Sequence, residues 1–161
     1  MTDIVNDLRA LLGPGGVLEG DDVTSRMIHV WRQDPIRAKC IARPASTEEV
    51  AAVLKRCNEL GQRVVPHGGL TGLVQGCNGD EADVVLSLER MNRIEEVDSV
   101  GRTMTCQAGV PLEKLQQEAE KLGLMFPVDL GARGTCQIGG NVSTNAGGNR
   151  VIRFGMTRDN V

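Results

Sequence analysis

The sequence predicts a mixed α/β (α+β) fold, with a small parallel βαβ lobe followed by an incomplete antiparallel α/β lobe. Three observations predict it. Residues 39–65 carry strand, helix and strand signals in that order, residues 93–108 hold two short strand-like runs around a turn, and each half of the chain contains a glycine-rich cluster. The organisation we expect is an N-terminal helical extension over 1–24, a first lobe over 25–90, and a truncated second lobe over 91–161.

Capping signals delimit the helices of the first half. An amphipathic helix is predicted over Asp3–Leu12, where a Gly-Pro pair ends it. A brief strand over 39–43 follows. The clearest helix signal begins at Ser46, an N-cap whose capping box is completed by Glu49, and ends at Gly61.

The remaining strands follow from apolar runs bounded by turn residues. The strand over 63–65 should close right-handed into a parallel pair with the first strand, because a helix connects the two. The continuous apolar run over 83–88 predicts a buried strand beside them. Two short strands over 93–97 and 103–108 flank a turn and should be antiparallel. A second long helix then starts with Pro111 at its first helical position.

Composition excludes several classes of function. The chain has 161 residues, a net charge of −3 and no basic stripe, so a nucleic-acid partner is not expected. No apolar run reaches the roughly 20 residues that span a bilayer, so no transmembrane segment is expected. The opening Met-Thr-Asp lacks a signal pattern, which predicts a cytoplasmic location. The five cysteines form no CxxC pair, so we expect reduced, mostly buried thiols and no metal site.

Two glycine-rich segments are the strongest functional signals. The loop Pro66–Gly72 follows an apolar strand, and its backbone N–H groups can turn inward to form a nest for a phosphate-like anion. It matches neither a P-loop nor GxGxxG, which argues against an NTPase or a Rossmann-type nicotinamide site. The segment Asp129–Gly148 adds Ser, Thr and Asn to its glycines, a composition typical of a wall around a large polar cofactor. Residues 138–148 are expected to be too rich in glycine for a stable helix.

Each segment has a plainer interpretation. The Gly-Gly-Leu-Thr-Gly sequence on its own is equally typical of a surface turn. The second segment can be read as a long disordered loop. Because two such segments about sixty residues apart suggest one extended ligand held at two places, we favour the cofactor interpretation.

Taken together, the two segments resemble a known family. The sequences VVPHGGLTGLV, DLGARGT and IGGNVSTNAGG, with RPASTEEV before the first long helix, resemble the PCMH-type FAD-binding domain of the vanillyl-alcohol oxidase flavoprotein superfamily. The Asp-Leu-Gly-Ala sequence and the late Phe-Gly pair are most similar to its branch of D-2-hydroxyglutarate and D-lactate dehydrogenases, which includes glycolate oxidase subunit-like proteins. The resemblance covers residues 25–161, the N-terminal part of such enzymes.

The resemblance implies FAD as the cofactor, held between two α/β lobes. The first loop would hold the pyrophosphate, and its predicted contacts are Pro66, His67, Gly68, Gly69, Leu70, Thr71 and Gly72. The second segment would line the flavin ring and ribityl chain through Gly134, Thr135, Ile138, Gly139, Gly140, Asn141, Ser143 and Asn145, with Asp129 near its start.

Some side chains near these segments have open roles. His67 is expected to be a loop residue that offers its backbone, although some members of the superfamily attach flavin through a histidine near a glycine pair. His29 lies among apolar neighbours and is expected to be a packed side chain. Cys136 is the cysteine expected nearest the ligand, in a packing role. Arg150 and the arginines after it are expected to lie on a solvated surface.

By resemblance, the intact protein would transfer hydride from a D-2-hydroxy acid to FAD and then pass electrons to an unidentified acceptor. The substrate would be bound by a C-terminal domain beyond these residues, so no catalytic side chain or metal ligand is expected here and the chain alone should be inactive. Two alternatives remain open: a non-catalytic flavin-binding fragment or pseudo-enzyme, and a flavin subunit that needs a partner chain. A half-built sheet exposes unpaired edges, so a homodimer is also possible.

Overall fold

The structure is a computed structural model that describes residues 3–161, and these residues form two compact units. The first unit ends at Arg90 and the second begins at Met91. Both combine helices with β-strands.

A four-stranded sheet forms the centre of the first unit. Its strands are β1 (Val17–Leu18), β4 (Cys40–Ala42), β5 (Val64–His67) and β6 (Val84–Ser87), in the spatial order β1-β4-β6-β5. β4, β6 and β5 are parallel, and β1 is antiparallel to β4. The prediction that β4 and β5 pair directly is wrong, because β6 lies between them and hydrogen-bonds to both.

Three helices belong to the first unit: α1 (Ile4–Leu12), α2 (Asp21–Thr24) and α3 (Thr47–Glu59). The Ser46 N-cap predicted for α3 is present, since Ser46 Oγ accepts from the Glu49 N–H at 3.2 Å. The predicted capping box is not completed at Ser46, because Glu49 Oε2 accepts from the N–H of Ala45, one residue earlier, at 2.7 Å. Helices α1 and α3 share a core with the sheet, which contains Ile4, Val5, Leu8, Leu12, Cys40, Ala42, Val53, Cys57, Val84 and Leu86. Helix α1, which lies in the predicted N-terminal helical extension, therefore contributes to this core.

A hairpin of β2 (Met27–His29) and β3 (Arg32–Pro35) completes the first unit. Sequence analysis did not predict it. A second apolar cluster of this unit contains Val23, Ile28, Ile36, Ile41 and Val85, and Leu70 and Cys77 pack against it. The hairpin and the first glycine-rich loop thus pack on the same cluster.

The second unit begins with the predicted antiparallel pair, β7 (Ile94–Asp98) and β8 (Thr103–Cys106). Helix α4 (Leu112–Lys121) follows, with Pro111 as its N-cap and not, as predicted, at its first helical position. Two small clusters form the core of this unit: one contains Val110, Leu115 and Ile138, and the other Leu112, Val128 and Cys136.

The glycine-rich part of the second unit is helical at first. Helix α5 (Ile138–Thr144) is followed by α6 (Val151–Phe154) and a 3₁₀ helix (Thr157–Asn160). The prediction that residues 138–148 cannot form a helix is wrong for the first seven of them. Tertiary packing outweighs the poor helix propensity of glycine here, because Ile138 and Asn141 are both buried.

No helix in the described part of the chain is long and apolar enough to cross a membrane.

Candidate functional site

The first glycine-rich loop starts where strand β5 ends. Pro66 and His67 are the last two residues of β5, paired in parallel with Leu86 and Ser87 of β6. The other predicted contacts of this loop lie in irregular backbone after the strand: Gly68, Gly69, Leu70, Thr71 and Gly72. The carboxyl ends of parallel strands are where open α/β sheets bind ligands, so the loop has a suitable position.

A leucine of this loop has a positive φ angle. Leu70 has φ of 54°, and its side chain packs partly buried against the apolar cluster below the hairpin. The left-handed conformation is therefore stabilised by packing, although it is strained for a residue with a Cβ. The sequence-based expectation assigned the turning of this loop to its glycines.

His67 does not occupy the predicted loop position. It ends β5, and its side chain is 3% exposed. Imidazole Nε2 lies 2.8 Å from the carbonyl oxygen of Cys77. Burial lowers the pKa of His67, against an opposing effect of the hydrogen bond to Cys77, so the neutral ring with a proton on Nε2 is favoured. The side chain therefore binds within the unit, to the backbone five residues beyond the loop.

The tip of the β2–β3 hairpin contacts the same loop. The Val30 N–H donates to the carbonyl oxygen of Leu70 at 3.3 Å, and the Trp31 indole Nε1–H donates to the carbonyl oxygen of Thr71 at 3.4 Å. Sequence analysis missed this contact. The residues lie about forty positions apart, and no local pattern pairs a turn tip with a distant loop.

A histidine and a cysteine contact each other just beyond the first glycine-rich loop. His29 is buried, as expected, and its Nε2 lies 3.2 Å from Asn78 Oδ1. The Cys77 sulfur lies 3.8 Å from His29 Nδ1, and burial raises the pKa of this thiol. A neutral thiol is a poor nucleophile, so this group has a packing character.

In the second unit, Asp129 is held by two arginines and by a close backbone contact. Its carboxylate lies 3.4 Å from Arg133 Nη1 and 3.6 Å from Arg150 Nε. Its carbonyl oxygen accepts from the Asn149 N–H at 3.1 Å. A Cβ on Gly148 would lie 1.9 Å from that oxygen, so only glycine fits there. Arg150 is exposed, as expected, and its contact with Asp129 lies at the surface.

Helix α5 holds most of the predicted contacts of the second segment: Ile138, Gly139, Gly140, Asn141 and Ser143. Gly134 and Thr135 lie in an exposed turn before it, and Asn145 follows it in the left-handed region, with φ of 48°.

Two glycines of α5 have different surroundings. A Cβ on Gly139 would lie 2.7 Å from the Ala108 Cβ, so this glycine serves internal packing. A Cβ on Gly140 would meet nothing within 4 Å. Gly140 is therefore the one of the pair that leaves the backbone open to a ligand.

Two buried acceptors at α5 have no partner among the described residues. They are Gln137 Oε1 and Asn141 Oδ1. An unsatisfied buried acceptor costs about 1–3 kcal/mol. Their combination with the open backbone at Gly140 suits a polar ligand that donates hydrogen bonds.

A surface groove of about 350 Å³ lies beside Asp129 in the second unit. Its lining includes Glu113, Met125, Asp129, Arg133 and Arg150. Arg133 also lies 3.4 Å from Glu113, so the arginines of the groove are paired with carboxylates inside the unit. Across residues 3–161, no three His, Cys, Asp or Glu side chains are placed to hold a metal ion.

Comparisons with known proteins identify what this chain is similar to. Residues 38–161 match a family described as an FAD binding domain. The chain is 49% identical over 140 residues to a D-2-hydroxyglutarate dehydrogenase of Xanthomonas citri pv. viticola, covering 87% of this chain and 28% of the relative. It is 41% identical over 152 residues to a D-lactate dehydrogenase of Anaerostipes hadrus, covering 93% of this chain and 32% of the relative. The chain thus spans under a third of the length of these relatives.

Solved structures share the fold at low sequence identity. An alkyldihydroxyacetonephosphate synthase matches with a TM-score of 0.82 and 20% identity, over 99% of this chain and 31% of the other. The 6-hydroxy-D-nicotine oxidase of Arthrobacter nicotinovorans matches with a TM-score of 0.77 and 24% identity, over 92% of this chain and 32% of the other. These matches confirm the predicted α/β fold class.

Proposed function

Because the chain belongs to the FAD-binding domain family, we propose that it is the flavin-binding part of an FAD-dependent dehydrogenase that oxidises a D-2-hydroxy acid. The family match over residues 38–161 carries the proposal, since this range includes both glycine-rich segments. FAD, the cofactor expected from the sequence, is confirmed by the same match. The substrate class we propose is D-2-hydroxyglutarate, D-lactate or glycolate.

The residues proposed to hold FAD are those predicted from the sequence, at 66–72 and within 129–145. Three features of the structure support a fit. Loop 68–72 follows the carboxyl end of a parallel strand, the backbone at Gly140 is open, and two buried acceptors near it lack partners. FAD carries an N–H donor on its flavin ring and O–H donors on its ribityl chain, and such acceptors can bind either.

The two segments contribute binding, and the cofactor contributes the redox chemistry. When bound, FAD supplies a two-electron acceptor. The N–H groups of residues 68–72 offer donors for a pyrophosphate, and α5 offers acceptors and open backbone for the remainder. We propose that a further domain of the intact protein binds the hydroxy acid and supplies the base, because the chain spans under a third of its named relatives.

A flavin titration of the purified chain tests the proposal. Quenching of FAD fluorescence should saturate. Gly69→Val should weaken FAD binding at least tenfold with an unchanged circular dichroism spectrum, because the side chain blocks backbone approach to the pyrophosphate. Val100→Ala is the matched control, since Val100 is 92% exposed in the β7–β8 turn of the second unit and should bind FAD as the wild type does. Absence of saturable binding to the unmodified chain would contradict the proposal.

An activity assay separates the cofactor-binding part from the whole enzyme. The purified chain, loaded with FAD, should not oxidise D-2-hydroxyglutarate, D-lactate or glycolate with an artificial electron acceptor. Steady turnover would show that no further domain is needed. The cytoplasmic location and the homodimer both remain predictions, and light scattering of the purified chain tests the homodimer.

A further inference from the structure

Trp31 is a large aromatic side chain that is unusually exposed to solvent for a tryptophan. It is 65% exposed, in a chain that contains one Trp, two Phe and no Tyr. Tryptophan is highly buried on average, so a largely exposed one next to a candidate site calls for a ligand or a partner.

The structure ties this ring to the glycine-rich loop. The indole N–H donates to the carbonyl oxygen of Thr71 at 3.4 Å, and the neighbouring Val30 N–H donates to that of Leu70 at 3.3 Å. Since the N–H lies on the ring edge, this bond directs one edge toward the loop while most of the side chain stays accessible. Leu70 is in turn anchored by packing, so the ring is placed against a fixed part of the loop.

We propose that Trp31 is a cofactor-binding residue whose ring face stacks on a planar heterocycle of the bound dinucleotide. The inference rests on the proposed function, because it takes loop 68–72 to hold the pyrophosphate. A dinucleotide carries one heterocycle on each side of its pyrophosphate, so a ring fixed beside the loop is within reach of one of them. Stacking on tryptophan is favourable for any such ring, since each has a π face.

Substitutions at Trp31 separate stacking from loop positioning. Trp31→Leu removes the aromatic face and the N–H, whereas Trp31→Phe removes the N–H and keeps an aromatic face. Stacking predicts that FAD affinity, followed by flavin fluorescence, falls about tenfold in the Leu variant and less than about threefold in the Phe variant. Val100→Ala again serves as the control, and thermal melts by circular dichroism check that each variant is folded.

Each outcome bears on a definite claim. Equal loss of affinity in the Leu and Phe variants would mean that Trp31 acts through its hydrogen bond to Thr71, which overturns stacking. Full FAD affinity in the Leu variant would also overturn stacking. The exposed ring would then be expected to contact a protein segment. If the unmodified chain binds no FAD, the proposed function fails first. If the unmodified chain binds FAD and one of these two results overturns stacking at Trp31, the proposed function still stands.

Competition identifies the stacked ring. ADP carries adenine and the pyrophosphate without flavin, and FMN carries flavin without adenine. Under the proposal, one of these two competitors loses affinity in the Leu variant by about the same factor as FAD, and the other does not. Because Trp31 is the only tryptophan, its emission also reports ADP binding directly, without overlap from flavin absorbance. If both competitors keep their affinity in the Leu variant, the proposal is overturned.

Discussion

Nε2 of His67 donates a hydrogen bond to the carbonyl oxygen of Cys77, 2.8 Å away, and this bond joins the end of β5 to the backbone five residues beyond the first glycine-rich loop. A carbonyl only accepts, so the ring must carry its proton on Nε2. The imidazole is buried at the end of β5, where the resemblance implied a loop residue offering its backbone. The backbone beyond the loop is thus held by a titratable group from inside the unit.

The first prediction concerns pH. Burial lowers the pKa of His67 below its ordinary 6.5, so as the pH falls through 6.5 the unfolded chain takes up a proton before the folded chain does. The stability that neutral His67 contributes is complete above pH 6.5 and is lost below it, until the folded state also titrates. One such proton gives a slope of at most about 1.4 kcal/mol per pH unit in the free energy of unfolding. Urea unfolding between pH 7 and pH 5 measures it.

His67→Gln provides the comparison for that measurement. The Gln amide can still donate to the Cys77 carbonyl oxygen but does not titrate. Its free energy of unfolding should depend less on pH than that of the wild type, and His29 is present in both proteins. Parallel curves for the two proteins would show that the pKa of His67 does not differ between the folded and the unfolded chain, which contradicts the lowered pKa.

The second prediction uses two glycines of one segment. Gly148→Ala should lower the stability of the second unit by on the order of 2–3 kcal/mol, because its Cβ would overlap the Asp129 carbonyl oxygen. Gly140→Ala should raise stability by about 1 kcal/mol, since it lies inside α5 with nothing within 4 Å of the new Cβ. Thermal unfolding of both variants tests the pair. If Gly148→Ala is tolerated, the close approach is not required.

The third prediction concerns the same Gly140→Ala variant and its cofactor. If Gly140 leaves the backbone open for FAD, the added methyl should weaken FAD binding while the fold becomes more stable. A flavin titration next to the thermal melt measures both. Stronger folding with unchanged FAD affinity would remove Gly140 from the proposed contacts.

The fourth prediction concerns thiol reactivity. Burial raises the pKa of Cys40 to about 12, and Cys57 and Cys136 are also buried with raised pKa values. These three thiols should resist Ellman's reagent at pH 8 in the folded chain, because the thiolate is the reactive form. Only the half-buried Cys77 and Cys106 should react, and slowly. All five should react at once in denaturant, and rapid labelling of Cys40 without it would contradict the buried core.

Elements with local signals were predictable from the sequence. Helix α3 shows this well, since Ser46, Glu49 and Gly61 lie next to the residues they cap. Sheet order was not predictable, because the insertion of β6 between β4 and β5 depends on contacts with no local signature. The helix at Ile138–Thr144 was missed for a related reason. Its stability comes from Ile138 and Asn141 packing inside the second unit, which glycine propensity does not record.

In the candidate site, too, features with a local sequence signal were predictable and contacts between distant residues were not. Both candidate segments were found from their clusters of glycine, because a high density of glycine can be read from the sequence alone. The direction of His67 and the contact between Trp31 and Thr71 were not visible, since both depend on which distant residue a side chain meets. The close approach of Gly139 to Ala108 and of Gly148 to Asp129 was likewise not visible, because glycine density does not record which distant residue a glycine meets.

Each of the four apolar clusters draws its residues from a single unit. During translation, the first ninety residues can therefore bury their own core while the ribosome is still adding the second unit, as domains generally do at synthesis rates of about 5–20 residues per second. The loop over 66–72 would then be in place before α5 has been synthesised. If both glycine-rich segments hold FAD, as we propose, the cofactor can be bound only after the second segment has been synthesised.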